Sequence, residues 1–146
     1  MVLAFFLHAT AKKSQCSACL QQHFYLELPL LEWSFMNFCD NNKSVQKWAS
    51  EAIQIPYKDP LTGRQTVYVP DFFIQYMDKN SKMIVELIEI KPSSQQIIER
   101  VGKNKYNQAQ FIKNQAKWTA ANLWCKQQGI RFRILNENDL FHTGTA

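Results

Sequence analysis

Apolar and polar positions alternate most cleanly in the stretch VYVPDFFIQYMDKNSKMIVELIEIKP, from Val67 to Pro92, where two apolar runs flank the polar turn DKNSK. Alternation of this kind predicts β-strands over 66–77 and 82–91. Upstream, AIQIPY predicts a shorter strand over 52–57, and KDPLTGR a turn punctuated by Pro60 and Gly63. Joined by tight connections, the three strands should form an antiparallel meander. Pro70 has no N–H to give to a ladder, so the second strand should bend, bulge or lie at an edge just before Asp71.

Outside these strands the period becomes helical. Leu31, Phe35 and Phe38 recur at helix spacing, Pro29 suits a first turn, and Asp40-Asn41-Asn42 ends the run. A short helix should follow Pro92 as far as Arg100. A longer one spans 104–128, with a break expected at Asn114, a good N-cap residue, and a core stripe of Ala116, Ala120, Leu123 and Trp124. Gly129 is placed to close that helix. IRFRIL over 130–135 is a fourth strand with Arg131 and Arg133 on one side, and 136–141 is a last turn of helix. The expected fold is α/β, a mixed central sheet flanked by helices. Residues 1–26 hold no sustained period and read as an arm preceding one domain over 27–146.

Three ionisable residues sit where a strand has no structural use for them. Asp71 follows Pro70, and Glu89 and Lys91 bracket Ile90. Side chains alternate along a strand, so Glu89 and Lys91 share a face with Val85 and Leu87, while Glu86 faces the other way and reads as structural. Two carboxylates and a lysine converging at strand ends suit a divalent cation, Mg²⁺ or Mn²⁺, and an activated water. Without such a partner a buried carboxylate pair costs on the order of several kcal/mol or takes up a proton.

Charge sharpens this picture. The chain carries a net charge of +5, concentrated late. Lys91, Arg100, Lys103, Lys105, Lys113, Lys117, Lys126, Arg131 and Arg133 are opposed over that span by Glu99 alone. A basic tract beside an acidic site fits a binder of phosphate backbone, with Lys103, Lys105, Lys113, Lys117, Arg131 and Arg133 as candidates. The plainer reading of such lysines is a solvated helix face. Lys113, Gln115 and Lys117 could also reach a phosphate at the acidic site. Cys16-Ser-Ala-Cys19 with His23 supplies three potential zinc ligands without a fourth, and four cysteines make no disulfide framework at this length. Met1–Leu7 is apolar but lacks a basic flank and is too short to span a bilayer, so an intracellular, reduced protein is the expectation.

The pair Pro70-Asp71 followed by Glu89-Ile90-Lys91 resembles the PD-(D/E)xK motif of restriction-endonuclease-like nucleases. The likeness extends from Glu32 to Leu140, through FCDNN, WASEAIQIPY, YVPDFFI, EIKP and KWTAANLWCKQQGIRFRILNENDL. Over that span the chain is similar to the head completion nucleases of tailed phages and to the endonuclease subunits of heteromeric transposases. It departs from them before the first helix, where YLELPLL stands in place of a Tyr-Arg-Ser-like stretch. The resemblance implies a Mg²⁺- or Mn²⁺-dependent endonuclease acting on double-stranded DNA. Asp71, Glu89 and the Ile90 carbonyl would bind metal, Lys91 would orient water or steady charge, and Glu32 would be the additional acid of the first helix. An acid in a first turn is also explained by the helix dipole alone. The resemblance further implies portal or neck proteins as partners and a location in the host cytoplasm or with the virion. Neither a membrane nor a small-molecule substrate is expected. Two other readings stand beside this one: a non-catalytic head-completion protein binding DNA or portal, and a transposase nuclease subunit.

Overall fold

The computed structural model describes residues 28–141; the expected arm, with Cys16, Cys19 and His23, lies outside them. The elements run α1 (Leu28–Asn41), β1 (Val45–Ser50), β2 (Ile55–Lys58), β3 (Gln65–Tyr68), β4 (Phe72–Met77), β5 (Met83–Ile90), a 3-10 turn at Ser93–Gln95, α2 (Ile98–Val101), α3 (Lys105–Gln128), β6 (Arg131–Leu135) and α4 (Glu137–Phe141). Four strands form the central sheet in the order β1-β4-β5-β6, and β2 and β3 form a separate hairpin. β1, β4 and β5 are antiparallel, while β6 runs parallel to β5. A parallel neighbour needs a long crossover, and α2 with α3 supplies it. The chain therefore has the expected α/β class with a mixed central sheet.

The antiparallel set is composed differently from the expected meander. The run 66–77 is two strands, not one, and they belong to different sheets. Pro70 divides them: it is fully buried, and its fixed φ and missing N–H end one ladder before the next begins. The run 52–57 contributes to β2, which pairs with β3 and not with β4. The third antiparallel strand is β1, whose sequence VQKWAS carries almost no alternation. As an edge strand it buries fully only Val45, and a register shift between Val45 and Lys47 disturbs its period further.

Two apolar clusters flank the sheet. On one face Leu31, Phe35 and Cys39 of α1 pack on Phe72, Ile74, Ile88, Ile90 and Leu135. On the other, Trp118, Ala121 and Cys125 of α3 pack on Ile55, Tyr57, Tyr68 and Leu87. The stripes agree with the expected ones in part: Leu31 and Phe35 are buried, and Ala116, Ala120 and Trp124 pack, partly buried, against the α3-side cluster. Cys39 is buried where Phe38 was expected, and Phe38 is 44% exposed. On α3, Leu123 is 60% exposed, and the stripe runs through Asn114, Trp118, Ala121 and Cys125. α3 does not break at Asn114, which is buried mid-helix; the cap is Asn104, whose side chain accepts from Tyr106 N. Gly129 ends the helix at φ 70°, a left-handed conformation that favours glycine.

The phase of α3 can be checked by denaturation. Phe72→Ala, in the packed core, should lower unfolding free energy by about 3–5 kcal/mol. Leu123→Ala should stay within about 0.5 kcal/mol of the parent protein. A loss on the core scale for Leu123→Ala in urea melts would contradict this helix orientation.

Candidate active site

The carboxylates meet where the break at Pro70 starts β4 beside the end of β5. The pairing of Phe72 with Ile88 sets the local register. Asp71 Oδ2 accepts from Ile90 N at 2.7 Å, tying the residue just before β4 to the backbone between the other two motif residues. Glu89 is 4% exposed. Its Oε2 accepts from the Tyr68 hydroxyl at 2.6 Å, and its Oε1 lies 3.2 Å from Lys91 Nζ. The backbone after the motif is fastened as well: Lys91 N donates to Leu135 O, and Gln96 Nε2 donates to Lys91 O at 2.8 Å. The structure thus brings Asp71, Glu89 and Lys91 to adjoining strand ends.

Burial and proximity make this cluster short of positive charge. Burial first, and Glu89 second, push the Asp71 carboxyl up to about 7, against the opposing pull of Ile90 N–H and Lys91, with Glu32 adding to the rise. Glu32 is itself raised by burial, opposed by Lys91, and raised further by Glu51 and Glu89. It lies within electrostatic reach of the motif but in the second turn of α1, since the helix begins at Leu28; the helix-dipole explanation for this acid therefore falls away. Burial and the adjacent carboxylate keep Tyr68 protonated, so its hydroxyl serves as a donor to Glu89.

Among the described residues, no three acids, histidines or cysteines converge closely enough to form a preassembled metal cage. The corner holds two carboxylates, Asp71 and Glu89, with Lys91 beside them. Two acids held in one buried corner, one of them keeping its proton to about 7, fit a divalent cation, which would supply the missing positive charge.

The basic candidates separate into groups. Lys103 and Lys105 are exposed at the start of α3. Lys113 is paired with Asp59 at 3.1 Å and ties the β2–β3 hairpin to α3. Lys117 is half-buried, with its ammonium 5.5 Å from the centroid of the Tyr68 ring. Arg131 and Arg133 face the α1 side of the sheet, away from Glu89. There Arg131 Nε lies 3.0 Å from Glu86 Oε1 and Arg133 Nη1 3.2 Å from Oε2, so their first task is to neutralise a carboxylate that is 1% exposed. That pairing gives the structural role of Glu86 its physical form.

Sequence reasoning missed Tyr68, because a tyrosine in a strand reads as core until its hydroxyl partner is known. It also missed Glu51, which holds φ 50°, donates from its backbone N to Asp71 O and influences Glu32. A cavity of about 310 Å³ lies away from the motif, between α1, α4 and the sheet, with Phe35, Phe38, Tyr76 and Glu86 in its wall. It is mainly apolar, and neither Asp71, Glu89 nor Lys91 lines it. Cys39 and Cys125 are buried free thiols, pushed up by burial to about 12 and about 11, and so remain inert packing groups. No helix among the described residues is long and apolar enough to cross a membrane.

The family model described as TnsA-like endonuclease N terminal matches residues 42–137, from the end of α1 to the start of α4. The "Head completion nuclease" of Enterobacteria phage T4 is 30% identical over 115 residues, which cover 73% of this chain and 74% of that protein. No solved structure gives a significant match. The matched span contains β1 to β6 and the whole Asp71–Glu89–Lys91 motif, and the chain belongs to the TnsA-like family of restriction-endonuclease-like nucleases.

Proposed function

We propose that the protein is a Mg²⁺- or Mn²⁺-dependent endonuclease that hydrolyses phosphodiester bonds of double-stranded DNA. The observation that carries this reading is the joining of Asp71 to Ile90 N at 2.7 Å, which sets both motif carboxylates and Lys91 at one pair of strand ends. Asp71, Glu89 and the Ile90 carbonyl would hold the ion, with Glu32 completing the set. When bound, a divalent ion polarises the phosphoryl oxygen and makes water acidic enough to attack at neutral pH. Lys91, held by Glu89, orients that water or steadies the charge that develops on phosphate. Tyr68 keeps Glu89 from turning away. Exposed Lys103 and Lys105 track the backbone, a contact that confers affinity without a sequence code. The name of the T4 relative supports action on DNA during virion assembly in the host cytoplasm, with portal or neck proteins as partners.

The family description favours a second reading, the nuclease subunit of a transposase, which would require a partner for targeting. One assay separates them: purified protein on linear and supercoiled DNA with Mg²⁺, Mn²⁺ or EDTA. Nicking by the chain alone with either metal, and none with EDTA, is the expected result. Cleavage seen only after a transposase partner is added would favour the second reading.

Asp71→Ala and Glu89→Ala should each reduce metal-dependent cleavage to background while the protein stays folded, because each removes an oxygen ligand from the ion. Cutting at the parent rate by either variant would remove that residue from the site.

The metal-free protein should also show a particular pH dependence. The unfolded chain ionises Asp71 near its usual 3.8, whereas the folded carboxyl holds its proton to about 7. The folded state binds more protons between these limits, so unfolding free energy should fall as pH rises from about 4 to about 7, then level off. Urea melts in EDTA would measure this slope. Asp71→Asn should flatten it, and an unchanged slope would show that another group is responsible.

DNA binding provides a further check. Lys103→Gln with Lys105→Gln should weaken binding to every duplex alike and reduce the log–log salt slope by about two units. A parent-like slope, measured by fluorescence anisotropy across a salt series, would place the DNA path elsewhere.

A further inference from the structure

We propose that Lys117 is a catalytic residue that grips a non-bridging oxygen of the phosphate being cut, its ammonium stationed over the ring of Tyr68 and left unpaired by any carboxylate among the described residues. The inference rests on the nuclease reading above and assigns a second cation to the same site. Lys117 differs from its neighbours on α3. Lys113 is consumed by Asp59, and Lys105 and Lys126 are exposed to solvent. Lys117 is half-buried, yet among the described residues it forms no ion pair. Its contact is the face of Tyr68, at 5.5 Å from the ring centroid. A partly desolvated ammonium held by a ring alone retains donors for an anion.

Tyr68 explains why that ammonium does not collapse onto the acids. One side chain serves both groups: its hydroxyl donates to Glu89 Oε2 at 2.6 Å, and its ring face carries Lys117. Lys117 is thereby placed beside the carboxylate corner without being neutralised by it. The electrostatics agree with this placement. Burial lowers the proton affinity of Lys117, Glu89 counters, Lys91 and Lys113 lower it further, and Asp71 counters again. All four residues therefore lie within its field, and Lys91 and Lys117 approach the site from two different elements, the end of β5 and the middle of α3.

The chemistry that such a group can recognise is a phosphodiester monoanion. During hydrolysis the oxygen of water forms a bond to phosphorus and the bond from phosphorus to one sugar oxygen breaks. One proton of the water ends on the departing hydroxyl, and the other stays with the new phosphomonoester. Lys117 neither gives nor takes a proton. It meets negative charge on a non-bridging oxygen as that charge grows, so its effect falls on the chemical step more than on binding.

Two variants test this without depending on one substitution: Lys117→Met, which keeps a long stem over Tyr68, and Lys117→Gln. Under saturating enzyme with Mg²⁺, both should cut a linear duplex about 10²-fold more slowly in single turnover, the usual scale for losing one such donor. Duplex affinity should change only a few-fold and thermal stability hardly at all. Lys126→Met, on the exposed side of the same helix, should cut at the parent rate. In a second arm, inorganic phosphate is titrated into protein carrying ¹³C-methylated lysines, with the Lys117 resonance identified by its loss in Lys117→Met. Phosphate should shift that signal well before the signal of Lys126. The proposal is overturned if both Lys117 variants cut at the parent rate, or if phosphate leaves the Lys117 resonance in place. A parent protein that cuts no DNA with either metal would overturn the nuclease reading instead. The phosphate titration would then decide the anion site by itself.

Discussion

The hydrogen bond from Ile90 N to the Asp71 carboxylate is the contact on which the site depends. It lies at the end of the β4–β5 ladder, where the chain enters β4 and leaves β5. With that bond in place, Asp71 cannot swing toward solvent, and its charge must be borne next to Glu89. The result is a corner in which burial and like charge hold a proton on Asp71 up to about 7, with Lys91 as the nearest compensation. The unfavourable arrangement persists because the strands beneath it are packed on both faces. Ligands for a cation are often held in this way: the fold bears the repulsion before the ion arrives.

The same logic is repeated, with a different answer, one turn of the pleat away. Glu86 is as deeply buried as Glu89 but points to the opposite face of β5, where Arg131 and Arg133 of β6 neutralise it. Parallel pairing of β6 with β5 sets Arg131 opposite Glu86 in register. One acid on the strand therefore faces two arginines, and the other is answered by a single lysine and a tyrosine hydroxyl. The difference in compensation, more than burial itself, distinguishes a structural carboxylate from one with capacity for a ligand.

The two flanking helices have unequal shares in this. α1 brings Glu32 to within electrostatic reach of the motif, and its packing surface is the cluster of Leu31, Phe35 and Cys39. α3 carries Trp118, Ala121 and Cys125 against the other face, and that phase turns Lys113 and Lys117 toward the β2–β3 hairpin and Tyr68. Had the buried stripe run through Leu123, as its hydrophobicity suggests, these lysines would have faced elsewhere. Instead Trp118, Ala121 and Cys125 are buried in the cluster that includes Leu87 and Tyr68, and Leu123 stays exposed.

What the sequence determined by itself was local and periodic. Strand alternation located Glu89 and Lys91 on one face and Glu86 on the other, and Pro70 marked an edge, bend or bulge just before Asp71. Gly129 marked the end of a helix for a similarly local reason, its left-handed backbone. Tertiary structure decided what no local period encodes. It split the run 66–77 between two sheets, and it made a strand of VQKWAS, whose edge position demands little apolar sequence. It left Phe38 and Leu123 exposed and buried Cys39, Trp118, Ala121 and Cys125 against surfaces supplied by distant residues. It also chose partners: Tyr68 for Glu89 across 21 residues, and Asp59 for Lys113. Alternation is a property of one backbone and can be read from one segment. Partnership depends on which side chains arrive at the same point, and that is set only when the whole core has closed.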